Sequence, residues 1–146
     1  MLKLSKKTEY AIIALLDMAR RDKDELVTAK DLSRNYNIPP EIMGKVLQSL
    51  VRENLVVSHQ GIKGGYQLHM PLQEINVKKI ITAVEGPVHV VDCTLEEQCG
   101  CEQIDTCGIK GPMEFIQAEL HRFLGNITLQ DFKDKYSGVI PLLQIQ

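Results

Sequence analysis

Apolar positions in the first third of the chain recur at helical spacing. Ala11, Ile12, Leu15, Leu16 and Ala19 predict a helix over residues 6–22, followed by a charged turn from Arg20 to Glu25. Thr28 has the character of an N-cap, with Asp31 in the first turn, and opens a short helix to about Tyr36. Asn37-Ile38-Pro39-Pro40 ends it, because the residue before a proline avoids helical backbone; Pro40 in turn suits the first turn of a new helix. That helix runs to about Asn54, with Ile42, Val46, Leu47, Leu50 and Val51 on one face. Two helices joined by a short turn fit a helix-turn-helix or an ordinary helical hairpin.

The next segment favours the first. Leu55-Val56-Val57-Ser58-His59 has strand composition, Gln60 to Gly65 is a turn, and Tyr66-Gln67-Leu68-His69 alternates as a returning strand. A hairpin directly after a helix-turn-helix makes a winged helix. Glycines in its turn let backbone approach a phosphate or enter the minor groove. Lys45 and Arg52 on the second helix, with His59, Gln60 and Lys63 on the wing, are polar groups suited to DNA. Glu53 is the only acid across residues 42–69.

Beyond Pro71, Val77, Ile80, Ile81 and Val84 mark a short helix ended by Gly86-Pro87. Met113, Ile116, Leu120, Phe123 and Ile127 then recur three and four residues apart, a narrow apolar seam. Such a helix either covers the domain's own core or packs against its twin. The second is preferred, since a reader with one short recognition helix usually binds as a dimer. Thr128 is expected to cap a last helix from Leu129 to about Tyr136. The expected fold is mainly α with a small β-hairpin wing, a winged helix-turn-helix plus a long dimerisation helix. The expected organisation is a DNA-binding domain over 1–86, a cysteine-rich loop over 87–110, the dimerisation and last helices over 111–136, and a tail over 137–146.

Composition narrows the classes. The 146 residues are 44% hydrophobic and 25% charged, too apolar for a disordered chain. No stretch is apolar enough to span a membrane, and Glu9 interrupts any secretory pattern, so a soluble cytoplasmic protein is expected. The net charge of -2 argues against non-specific coating of nucleic acid but leaves room for charge segregated on the surface. No nucleotide-binding or hydrolase motif is present, so an enzyme is not expected.

All four cysteines, Cys93, Cys99, Cys101 and Cys107, fall within fifteen residues. Residues 87–108 carry Asp92, Glu96, Glu97, Glu102 and Asp105 and no Lys or Arg. Negative neighbours oppose bare thiolates, whereas a bound cationic centre offsets them. Zinc sites favour closer cysteine knuckles, and the five-residue gaps suit an iron–sulfur cluster better. Zinc and a metal-free thiol or disulfide switch stay open, as does an iron–sulfur carrier that binds no DNA.

Leu4-Ser5-Lys6-Lys7-Thr8-Glu9-Tyr10-Ala11, Ile38-Pro39-Pro40, Lys45-Val46-Leu47-Gln48-Ser49-Leu50, Gly61-x-x-Gly64-Gly65-Tyr66-x-Leu68, Ala83-Val84-Glu85-Gly86 and Phe123-Leu124-Gly125-Asn126-Ile127-Thr128-Leu129 carry a resemblance that covers about residues 2–134. With these motifs the chain resembles the Rrf-two family of winged-helix bacterial transcription regulators. It implies a homodimer on operator DNA and, for the IscR-, NsrR- and RirA-like branch, one 2Fe–2S or 4Fe–4S cluster per chain reporting iron–sulfur supply, nitric oxide or redox stress. It places ligands on Cys93, Cys99 and Cys107, with Cys101 as an alternative or fourth ligand. Where the IscR-like pattern has a ligand histidine, this chain has Lys110; Glu9 matches the carboxylate that NsrR-like members supply from the partner chain. It puts DNA contacts on Thr28, Pro40, Glu41, Lys45, His59, Gln60, Lys63, Gly64, Gly65 and Tyr66, and dimer contacts on the 113–127 seam. His69, His89 and His121 read as structural or solvated.

Overall fold

The computed structural model describes residues 2–94, 101–103 and 105–136. Its first helix, α1 (Lys6–Arg20), starts where Ser5 is extended and its Oγ accepts from the Thr8 N–H at 3.2 Å. It stops two residues short of the expected end. Arg21 is extended, and its guanidinium reaches back to Asp17 and forward to Glu25, both at 2.6 Å. Asp17 also accepts from the Tyr36 hydroxyl at 2.6 Å, which links α1 to the next helix. Burial and that hydrogen bond raise the Tyr36 hydroxyl well above the ordinary phenol range.

Thr28 and Asp31 form a reciprocal capping box at the head of α2 (Ala29–Tyr36). Asn37, left-handed at φ 53°, ends α2, and Pro40 opens α3 (Pro40–Arg52). Helix α3 buries Met43, Val46, Leu47 and Leu50 against α1, α2 and α4 (Val77–Glu85). It ends before Asn54, which adopts φ 60°.

The wing is an antiparallel pair, β1 (Val56–His59) and β2 (Gly65–Leu68), in register Val56 to Leu68 and His59 to Gly65. A third segment joins it: Tyr66 N–H donates to Val27 O at 2.8 Å, and Val27 N–H donates back at 3.0 Å. This contact explains Gly65, and the hairpin turn itself explains Gly64. A Cβ on Gly64 would lie 2.4 Å from His59 O, and one on Gly65 would lie 2.8 Å from Val27 O. A 3₁₀ turn at Leu72–Glu74, not anticipated from the sequence, leads into α4, whose cap is Asn76.

A second 3₁₀ turn at Asp92–Thr94 precedes the long helix α5 (Lys110–Asn126) and the last helix α6 (Leu129–Tyr136). Helix α6 returns to the body of the fold. Leu129 is fully buried with Leu15, Leu32, Leu47, Leu50, Ile75 and Ile80, and Val77 N–H donates to Ile127 O at 2.9 Å. Each such aliphatic side chain contributes about 1.5–3 kcal/mol on burial. The architecture is a mainly helical winged helix-turn-helix with an appended long helix. No described helix is long and apolar enough to cross a membrane.

Candidate functional site

The α3 surface and the wing present one polar face. Pro40 stands at the exposed start of α3 with Glu41, and Lys45 follows one turn later, also exposed. Glu41, Gly44, Lys45 and Gln48 share a stripe opposite the buried Met43, Val46, Leu47 and Leu50. Among the described residues, no ion pair engages Lys45, Arg52 or Lys63, so these cations are available to an external anion.

On the wing, His59, Gln60 and Lys63 are exposed, and His59 Nε2 lies 3.0 Å from Gln67 Nε2. Gly64, Gly65 and Tyr66 are half-buried where the wing meets Val27. Thr28 is engaged within the fold: its hydroxyl donates to Asp31 Oδ2 at 2.7 Å and accepts from the Asp31 N–H at 3.1 Å. The Thr28 hydroxyl holds the Asp31 carboxyl below the usual carboxylate range.

The cysteine loop is described in part. Cys93 lies in the 3₁₀ turn Asp92–Thr94, and Cys93, Cys101 and Cys107 are half-buried; Cys99 lies outside the described residues. Among the described residues, no three His, Cys, Asp or Glu side chains converge on one metal-sized point. The donor chemistry nevertheless fits an iron–sulfur group. The thiols are the soft ligands such a cluster takes, and the acidic loop supplies no competing cation. Lys110 begins α5 and lies 4.0 Å from Glu114. The Glu9 carboxylate, in the first turn of α1, accepts from Lys6 Nζ at 2.7 Å, which raises the Lys6 ammonium above its ordinary value.

Helix α5 divides the apolar seam in two. Met113, Leu120 and Ile127 are half-buried, whereas Ile116 and Phe123 are exposed at 45% and 62%. Ile109 and Phe115, absent from the sequence reading of the seam, are exposed as well. Helix α5 packs on α4 and on the 3₁₀ turn at Cys93, yet none of its residues is fully buried.

Sequence reasoning missed one group. Gln117, midway along α5, accepts from Val90 N–H at 2.7 Å and donates through Nε2 to Val88 O at 2.6 Å. His121 Nε2 lies 2.7 Å from the same carbonyl, so this histidine is engaged within the fold. A Gln and a His one helical turn apart on a half-buried face were the available signal. His89 is exposed, with Nδ1 3.1 Å from Pro87 O and Nε2 3.8 Å from Asp92.

Comparison with known proteins gives a consistent result. The family profile described as Rrf2, iron-dependent transcriptional regulator, matches residues 4–135. The HTH-type transcriptional regulator IscR of Serratia proteamaculans is 32% identical over 130 residues, 89% of this chain and 78% of that protein. The HTH-type transcriptional regulator NsrR of Halalkalibacterium halodurans is 27% identical over 145 residues, 99% of each. The solved structure of IscR from T. potens superposes with a TM-score of 0.68 at 26% identity, covering 93% of this chain and 90% of that one.

Proposed function

The chain belongs to the Rrf2 family of DNA-binding transcriptional regulators, and from that premise we propose that it is a cytoplasmic, homodimeric repressor whose operator affinity is set by an iron–sulfur cluster in the cysteine loop. The observation that carries this reading is the placement of Cys93. It sits in a turn packed against α5, the helix that carries an uncovered apolar stripe. One cluster per chain, 2Fe–2S or 4Fe–4S, would be held by Cys93, Cys99 and Cys107. Cys101 or Glu9 of the partner subunit completes the set. When bound, the cluster supplies a centre whose loss or modification reports iron, nitric oxide or redox stress.

The protein's own residues do the rest. Ile116 and Phe123 meet their copies across the dimer and, with Met113, Leu120 and Ile127, fix the spacing of two α3 helices. Pro40 and Glu41 approach base edges, and Glu41 can accept from a cytosine amino group. Lys45 and Lys63 meet phosphates, while His59, Gln60, Gly64, Gly65 and Tyr66 bring the wing alongside the duplex; Thr28 acts through the α2 cap. Emptying the loop shifts the population of α5 positions and so the half-site spacing.

Protein purified without oxygen should be coloured, contain iron and sulfide, and lose both on Cys93→Ser or Cys107→Ser. In a gel shift against duplex selected from a random library, Lys45→Ala and Lys63→Ala should each lower the salt slope by about one. Colourless protein carrying zinc, or no metal after anaerobic reconstitution, would replace the cluster by a zinc or thiol switch. Iron-loaded protein that retains no selected duplex would instead indicate a carrier.

A further inference from the structure

The segment that leads into Cys93 is held to α5 by side-chain-to-backbone bonds. Val90 N–H donates to Gln117 Oε1 at 2.7 Å, and Gln117 Nε2 donates to Val88 O at 2.6 Å. The two backbone partners fix the amide's orientation, because a backbone N–H can only donate and a carbonyl can only accept. The single side chain therefore meets residues 88–90 as an adjacent strand would, through a donor and an acceptor two residues apart. His121 Nε2 lies 2.7 Å from the same Val88 carbonyl. Thr94 Oγ1 donates to Val91 O at 2.7 Å and lies 3.5 Å from Gln117 Oε1. Cys93 is thus flanked on both sides by residues in contact with one glutamine on α5.

We propose that Gln117, supported by His121, is the latch that transmits the state of the cysteine loop to α5. Gln117 is a positioning residue: it would ligate nothing and touch no DNA. Its amide makes the path of residues 88–94 and the position of α5 mutually dependent, so a loop that must move when its cluster is lost either drags α5 or breaks two bonds. A polar group left without its partner in a half-buried place is costly, so the segment and the helix move together.

This assignment rests on the cluster reading, and the experiment separates the two. Wild type, Gln117→Ala and Gln117→Glu are reconstituted anaerobically with iron and sulfide. Each is then measured, loaded and cluster-free, for affinity to the selected duplex and for amide hydrogen exchange at Val90. Gln117→Glu keeps the acceptor for Val90 but loses the donor to Val88, and remains informative should the alanine variant fold poorly. With the latch in place, the variants load iron at the wild-type ratio, and Val90 exchanges faster in Gln117→Ala even without cluster. The loaded and cluster-free DNA affinities, about fivefold or more apart in wild type, then converge toward equality in the variants. An unchanged ratio in both variants, with wild type still responding to its cluster, overturns the latch and leaves the cluster reading standing. A wild-type ratio of one overturns both.

Discussion

The amide of Leu129 donates a 2.8 Å hydrogen bond to the carbonyl of Ile75, joining the start of the last helix to the segment between the wing and α4. With the Val77 to Ile127 bond beside it, this pins the C-terminal end of α5 to the core of the DNA-binding fold. The other end of α5 emerges from the cysteine loop. The helix therefore joins the proposed sensing loop to the body that carries α3.

Leu129→Ala should test that anchorage. Its side chain is fully buried beside Ile75 and Ile80, so truncation should cost about 2–5 kcal/mol. Urea unfolding should show a lower midpoint. Loss of a single transition, with α6 melting separately, would contradict the shared core.

The Thr28–Asp31 capping box predicts an acid limb. The Asp31 carboxyl titrates below its ordinary value chiefly because the Thr28 hydroxyl donates to it. Its contribution is therefore complete above the unfolded pKa near 3.8 and is lost as pH falls through the lower folded value. Thr28→Ala should cost about 1 kcal/mol at neutral pH. The stability gap between wild type and Asp31→Asn, followed by urea titration, should close below pH 4 or so.

Much of the fold was legible because short-range chemistry decided it. The cap at Thr28, the stop at Asn37 and Gly64 in the wing turn each act within a few residues, and the predicted elements fall within about two residues of the observed ones. Boundaries slipped where a side chain intervened, as at Arg21, whose pairs with Asp17 and Glu25 accompany an extended backbone. The spacing of the apolar seam on α5 predicts one stripe. Packing on α4 splits it, leaving Ile116 and Phe123 exposed while Met113 and Leu120 are half-buried. Gln117 was illegible for a different reason: its partners are backbone groups 27 and 29 residues away, which leave no trace in side-chain pattern. The cysteines stand out by their clustering in the sequence, but their spacing leaves the ligand set open.

Gly44 offers a sharper test of the DNA face. A Cβ there meets nothing within 4 Å, so neither folding nor packing in one chain requires the glycine. Gly44→Ala should stabilise α3 by about 1 kcal/mol. If the Glu41, Gly44, Lys45 and Gln48 stripe lies against DNA, the added methyl should also weaken duplex binding severalfold. Greater thermal stability with unchanged affinity would move the interface elsewhere.

The apolar stripe on α5 should govern assembly. Phe123→Asp, at a site 62% exposed in the single chain, should leave the circular dichroism spectrum intact while sedimentation shifts from dimer to monomer. The cost to DNA affinity should exceed that of any single wing substitution, because half of the bound face is lost with the partner. A variant that remains dimeric would place the contact on another surface.

The most direct measurement is the affinity of one anaerobic preparation for the same selected duplex, at fixed salt, before and after its cluster is removed. The proposed function predicts a change of about fivefold or more, within the usual range for coupling between two sites. It also predicts that Cys93→Ser holds the protein permanently at the cluster-free value. Equal affinities for loaded and cluster-free protein would contradict it.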